Sequence, residues 1–207
     1  MNNTVEIDSC DSPIGTIRVA LRNRRVCAIA FADRWDRAAV HLRRRFGSDL
    51  VERTEIPKGA GVACLRRYFA GDLSALDEVE IDLVGTPFQL AVWQALRAIV
   101  PGTTKSYGSI AQTVGRPLAV RAVGAANGAN PISLVIPCHR AIGADGSLVN
   151  YGGGLERKSW LLDHERGARP LIAAPGEGRS KPVADEGTGH SKTSANLRPM
   201  NSSTTSA

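Results

Sequence analysis

The stretch "TPFQLAVWQALRAIVPGTTKSYGSIAQTVGRPLAVRAVGAANGAN" (86–130) constrains the fold more than any other part of the chain. Its prolines and glycines lie too close together for one long helix, yet its apolar residues recur at helical intervals. Thr86 can cap a helix, Pro87 suits the first helical position, and Gln89 completes a capping box. Phe88, Val92, Leu96 and Ile99 then repeat at helical spacing until Pro101-Gly102 ends the run. A second short helix is expected up to Val114, a stop at Gly115, and a third helix opening at Pro117. Two short helices joined by a tight Gly-containing turn form a helix-turn-helix pattern, although many all-helical proteins contain such corners.

The third of these helices is built from small residues, Ala119, Ala122, Gly124, Ala125, Ala126 and Gly128, around one long cation, Arg121. Small side chains let a backbone approach another surface closely. That surface is either a neighbouring helix of the same chain or DNA, with Arg121 then reaching into the base stack. Charge adds weak support for DNA. Residues 1–85 are neutral overall, 86–169 carry a net +5, and 170–207 a net +1. A basic segment is often only a solvated face.

Upstream, "IGTIRVAL" (14–21) and "VCAIAF" (26–31) are short β-branched runs joined by "RNRR", an antiparallel hairpin pattern. Residues 34–46 and 60–71 have helical spacing, "EIDLV" (80–84) suits another strand, and Arg43, Arg44 and Arg45 suit an exposed helix face. Downstream, "ISLVI" (132–136) is a buried-strand candidate, "GADG" (143–146) a turn, "NYGGG" (150–154) a flexible loop, and "LERKSWLLDHE" (155–165) an amphipathic helix. The expected fold is α+β: a small N-terminal α/β unit with an antiparallel hairpin (1–85), a mainly helical domain with the helix-turn-helix (86–169), and a tail (170–207). The tail's Gly, Pro, Ser and Thr content predicts disorder. No apolar run approaches the ~18 residues of a membrane span. The opening residues are polar, so a soluble, cytoplasmic protein is expected. Its four cysteines, Cys10, Cys27, Cys64 and Cys138, lack paired spacing and are expected as free thiols.

"LVIPCHRAIG" (134–143) sets Cys138 beside His139. Neighbours on a strand point to opposite faces, so direct contact needs a turn at Pro137, or a bridging water. Glu165 is an acidic residue that could orient His139, as nucleophile–base pairs require. Read alone, Cys138 is either a buried, inert thiol or a nucleophile. The signatures of papain-like and glutaminase-like hydrolases are absent from its surroundings.

"NPISLVIPCHRAIGADGSLVNYGGGLERKSWLLDHE" resembles the active-site region of the O6-alkylguanine-DNA alkyltransferases, the methylated-DNA–protein-cysteine methyltransferase family, and 86–130 resembles that family's DNA-binding part. The likeness covers about residues 86–168. The N-terminal residues match loosely, through "DSPIG" and the hairpin pattern. The resemblance implies a single-use repair enzyme that moves the alkyl group of O6-alkylguanine in DNA onto Cys138 without a cofactor, and it leaves open O4-alkylthymine as a second substrate. It implies that His139 deprotonates Cys138 through a water, that Glu165 holds His139, and that Tyr107 hydrogen-bonds the guanine leaving group and helps rotate the nucleotide. Arg121 would fill the gap left by the extruded base, with Ala122 and Gly124 on the same minor-groove helix. Asn130 would tie that helix to the active-site turn. Val135, Val149, Tyr151 and Gly152 would line the base pocket. Val149 and Ser133 stand where mammalian relatives carry glycine and proline, which implies a pocket that prefers methyl to benzyl. No metal is expected, because Cys10, Cys27 and His41 lack the spacing of the zinc-binding relatives and Arg22 falls at a ligand position. The implied partner is double-stranded DNA, with no membrane, and the protein is expected to be a monomer. Two rivals are a lesion-binding protein that does no chemistry and a helix-turn-helix regulator with an unrelated cysteine.

Overall fold

Asn23 and Arg24 both adopt positive φ, 50° and 66°, the geometry a two-residue hairpin turn needs to match the twist of its strands. They join β2 (Ile17–Arg22) to β3 (Arg25–Phe31) as an antiparallel pair. The computed structural model describes residues 4–47, 50–52 and 59–167. The tail expected from residue 170 lies outside the described residues.

The sheet has the order β3-β2-β1-β4. β1 (Val5–Cys10) is antiparallel to β2, and β4 (Leu50–Glu52) is parallel to β1. β1 is an element that the polar opening residues concealed. Both faces of the sheet are covered. On one face Val5, Ile7, Ala20 and Ala28 pack with Trp35, Ala39 and Leu42 of α1 (Trp35–Phe46). Ile17, Val19, Leu21, Ile29 and Phe31 belong to a second, larger core, as alternation along a strand requires. α2 (Ala60–Phe69) adds Val62, Leu65 and Tyr68 to that core. Arg45 is not on an exposed face as expected. Its guanidinium bonds the Asp82 carboxylate at 3.0 Å, while Arg43 and Arg44 remain exposed.

The strand expected at 80–84 is one bridge only: Val26 N donates to Glu80 O and Asp82 N to Val26 O, both at 2.8 Å. Further along the same edge, Ile29 N donates to Pro131 O and Ser133 N to Ile29 O. Two irregular segments thus satisfy the edge of β3, whose unpaired groups would otherwise invite association.

α3 (Pro87–Arg97) starts with the full capping box, Thr86 Oγ1 accepting from Gln89 N and Gln89 Oε1 from Thr86 N. Its buried residues Val92, Trp93 and Leu96 face the larger core. After β5 (Lys105–Ser106), α4 (Tyr107–Thr113) is capped by Ser106, whose Oγ accepts from Ser109 N. Gly115, at φ 70°, stops it as expected. α5 (Val120–Gly128) opens three residues later than Pro117 suggested, since 117–118 form a turn. Trp93 Nε1 donates to Ala126 O at 2.9 Å and ties α5 to α3. β6 (Ala141–Ile142) pairs with β5, and α6 (Leu155–Glu165) closes the described chain. The described residues of both halves fall in one compact unit with a shared core. Among them no helix is long and apolar enough to cross a membrane.

Candidate active site

Ile132, Leu134, Val135 and Ile136 are buried as expected, with Ser133 half-buried, but the segment is not a strand. Leu134 sits at φ 73°, and Ile136 N turns back to Ile132 O at 2.9 Å. A short apolar run has the same composition in a buried turn as in a strand, and the backbone here doubles back. Pro137 follows at φ −78°, ψ 67°, with Cys138 N donating to Ile136 O at 2.7 Å. These are the angles of an inverse γ-turn. It feeds a 3-10 turn, Cys138–Arg140, so the expectation of a strand with alternating faces gives way to a compact corner.

Asn130 braces that corner from two residues past α5. Its Oδ1 accepts from Ile132 N at 3.0 Å and its Nδ2 donates to Ile136 O at 2.8 Å. The same amide influences the Cys138 thiol. Burial pushes that thiol's pKa up. The Asn130 amide, the Lys158 charge and the N–H groups of Cys138 and His139 pull it down, and burial prevails. The thiol at rest is therefore protonated, and it would need a base to act as a nucleophile.

His139 is completely buried, and its Nε2 lies 2.8 Å from Glu165 Oε1. A carboxylate there accepts, so Nε2 carries the proton and Nδ1 keeps its lone pair. Nδ1 is buried and has no partner among the described residues. Burial lowers the His139 pKa despite the opposing pull of Glu165, so the ring rests neutral. Glu165 is a five-donor acceptor. Besides His139 it receives Arg140 Nε at 2.9 Å and Nη2 at 2.8 Å, Tyr68 Oη at 2.8 Å, and Gly102 N at 3.1 Å. Burial alone would raise its carboxyl, but the bonds and charges of His139 and Arg140 outweigh it and hold Glu165 well below the usual carboxylate range.

Three of these groups were not anticipated as parts of the site. Arg140 follows His139 in the chain but carries no motif of its own, and Tyr68 lies 97 positions from Glu165. Lys158, completely buried, donates to Ala141 O and, at 2.6 Å, to Val149 O. It clasps both ends of the 141–149 excursion. Burial brings its pKa down to about 8, with Cys138 opposing. The only cue in the sequence was a lysine two positions from Trp160, at helical spacing from Leu161 and Leu162.

The other expected residues divide into two groups. Tyr107 is buried beside Cys138, and burial together with the thiolate charge pushes its pKa up to about 12. Its hydroxyl accepts from Asn127 Nδ2 at 3.3 Å and donates to Asn150 O at 3.4 Å. Tyr151 places its ring 6.3 Å from the His139 ring, and its buried hydroxyl has no partner among the described residues. Val135 is buried, Val149 is half-buried against the core, and Gly152 is exposed. Arg121 and Ala122 lie apart from this cluster, on the exposed side of α5 opposite Val123, Ala126 and Asn127. A Cβ built at Gly124 or Gly128 would meet nothing within 4 Å. Packing inside the chain therefore does not require these glycines.

The family model described as 6-O-methylguanine DNA methyltransferase, DNA binding domain, matches residues 87–167. The methylated-DNA–protein-cysteine methyltransferase of Salmonella typhimurium is 47% identical over 156 residues, 74% of this chain and 91% of that protein. The protein of the same name from Mycolicibacterium paratuberculosis is 44% identical over 168 residues, 80% of this chain and 95% of that one. The crystal structure of Mycobacterium tuberculosis OGT in complex with DNA superposes with a TM-score of 0.68 at 39% identity, covering 82% of this chain and 96% of that one.

Proposed function

The chain belongs to the methylated-DNA–protein-cysteine methyltransferase family, and on that premise we propose that Cys138 is the cysteine it alkylates, from O6-alkylguanine in duplex DNA. The protein is a DNA-repair methyltransferase that reverses damage directly and is consumed in the act. The observation that carries the assignment to Cys138 is the buried His139, protonated on Nε2 toward Glu165 and left with a free lone pair on Nδ1.

A water bridging Sγ and Nδ1 passes the thiol proton to His139. The thiolate attacks the O6 alkyl carbon from the side opposite the oxygen. The C–S bond forms as the C–O bond breaks, and the electron pair leaves with guanine O6. Tyr107 donates a hydrogen bond to the departing base, which takes up a proton, so that over the whole reaction one proton moves from sulfur to guanine. The thioether is a poor leaving group, so no second cycle follows.

The lesion is stacked inside a duplex, and extruding it costs a few kcal/mol. α4 and α5 act as the helix-turn-helix. The small outer face of α5 lies against the minor groove and Arg121 takes the place of the extruded base. The open space around Gly124 and Gly128 supports this use of small residues over packing within the chain. Functionally, residues 1–85 form the supporting α+β part and 86–169 the DNA-binding and acceptor part, working as a monomer.

The test is incubation with a duplex carrying O6-[methyl-³H]methylguanine. Label should move to protein in a one-to-one limit, and the Cys138 peptide should gain one CH2 unit. Repeated turnover, or full transfer in Cys138→Ala, would refute the assignment.

A further inference from the structure

Arg157, in the first turn of α6, joins the N-terminal α+β part to the 150–154 loop through carbonyl, carboxylate and ring contacts. Its Nε donates to Ile14 O at 2.8 Å, and its Nη1 reaches both carboxylate oxygens of Asp33 at 3.0 Å. The same Nη1 donates to Gly153 O at 3.0 Å. The guanidinium also lies 4.2 Å above the centre of the Phe31 ring. Two glycines make this convergence feasible. A Cβ at Gly15, itself at φ +109°, would come within 3.2 Å of Arg157 Nη2. A Cβ at Gly153 would come within 2.6 Å of the Phe31 ring and 2.7 Å of the Tyr151 ring. The loop read from its glycines as flexible is thus pressed onto the end of β3.

The reading that Tyr151 and Gly152 line the base pocket gives this clamp a purpose, and the inference rests on it. We propose that Arg157 is a positioning residue for alkyl transfer: it pins the Gly153 segment to the Phe31–Asp33 corner and so fixes the pocket wall that holds the extruded base. The N-terminal part then has a task in the reaction besides completing the core. A guanidinium suits it because a planar fork can serve a carbonyl, a carboxylate and a ring face at once, which an ammonium cannot.

Single-turnover transfer from a methylated duplex, measured across substrate concentrations, tests this in the full chain. Arg157→Ala should raise the half-saturating concentration or slow the limiting rate by roughly tenfold to a hundredfold, the scale of a misplaced substrate. The pH profile of the transfer step should stay unchanged between pH 6 and 9, because Arg157 makes no bond to Cys138, His139 or Glu165 and the one titrating group of the site that it acts on, Tyr151, is held well above that range by burial. Amide hydrogen exchange across 150–154 should quicken while α3 and α6 stay protected. Arg157→Lys should keep the melting temperature but recover only part of the rate, and Asp33→Asn should show a smaller defect of the same kind. Wild-type kinetics in Arg157→Ala would overturn the proposal. So would a rate loss with no change in loop exchange, or a loop change with no kinetic effect. Failure of the wild-type protein to transfer label at all would instead refute the assignment of Cys138 and leave the clamp's geometry untouched.

Discussion

Replacing Glu165 by Gln keeps the side chain's size and removes one charge from the most densely bonded carboxylate described in the molecule. Arg140, whose side chain is 7% exposed, loses its buried counter-ion. Breaking a buried pair in this way costs about 3–5 kcal/mol. At roughly 2–4 °C per kcal/mol for a chain of this size, the melting temperature should fall by about 6–20 °C. His139 also loses the acceptor that fixes its proton on Nε2, so transfer should slow by roughly 10²–10⁴-fold, the usual contribution of a positioned base. The pH dependence has a definite sign. The folded-state pKa of Glu165 is depressed from its ordinary value of 4.5. Its stabilising contribution is therefore complete above that value and is lost as pH falls toward the folded-state value. The gap in melting temperature between wild type and Glu165→Gln should be widest near neutrality and shrink steadily below about pH 4. Differential scanning calorimetry from pH 7 to pH 3, with single-turnover rates at pH 7, measures both quantities. A gap that does not change with pH, or a rate within a few-fold of wild type, would refute this account of the His139–Glu165–Arg140 group.

Three further outcomes are expected. Gly124→Leu should leave the melting temperature unchanged or slightly higher, since the glycine's neighbourhood is open and leucine is the better helix former. Duplex binding by gel shift should nevertheless weaken by on the order of tenfold, about 1.4 kcal/mol. Arg121→Ala in parallel should impair repair of duplex more than of free O6-methylguanine, and equal losses on both substrates would remove Arg121 from base extrusion. If Val149 and Ser133 line the base pocket as the family resemblance implies, free O6-benzylguanine should inactivate the wild-type protein slowly, the lost contacts being worth roughly 1–3 kcal/mol. Val149→Gly with Ser133→Pro should restore sensitivity, and rapid inactivation of the unmodified protein would show that these two positions do not govern pocket size.

What could be read from the chain was what local chemistry decides. The capping box at Thr86, the stop at Gly115 and the span of α6 each depend on a handful of adjacent residues, and each stands where the sequence placed it. The hairpin was legible for the same reason. β1 was not, because its polar flanks and Asp8 hide a strand whose apolar residues matter only once α1 and α2 cover its two faces. Residues 132–136 misled because burial, which composition reveals, does not determine direction: Leu134 at positive φ reverses the chain, and no local rule asks for leucine there. The acceptor set of Glu165 was half visible. His139 was suggested by adjacency to Cys138, but Tyr68 arrives from α2 and Gly102 from the turn after α3, contacts that only tertiary packing creates.

On the proposed mechanism, the three unanticipated residues, Arg140, Tyr68 and Lys158, explain how the corner can hold a proton transfer in a buried place. At rest the charge on Glu165 is matched by Arg140, so the neutral His139 is not forced to take a proton early. In the proposed transfer of the thiol proton, two new charges would appear inside the protein, a thiolate and an imidazolium. Each has an opposite charge or a donor already in place. Glu165 accepts from the imidazolium, while Lys158, Asn130 and the N–H groups of Cys138 and His139 act on the thiolate. Groups fixed before the reaction need no reorganisation during it, and in a water-poor site their effect is larger than in solvent. Tyr68 shares the Glu165 oxygen that His139 uses, which tempers the pull of the carboxylate on the imidazole. The histidine can then take up the sulfur proton and still release it once the guanine anion has formed.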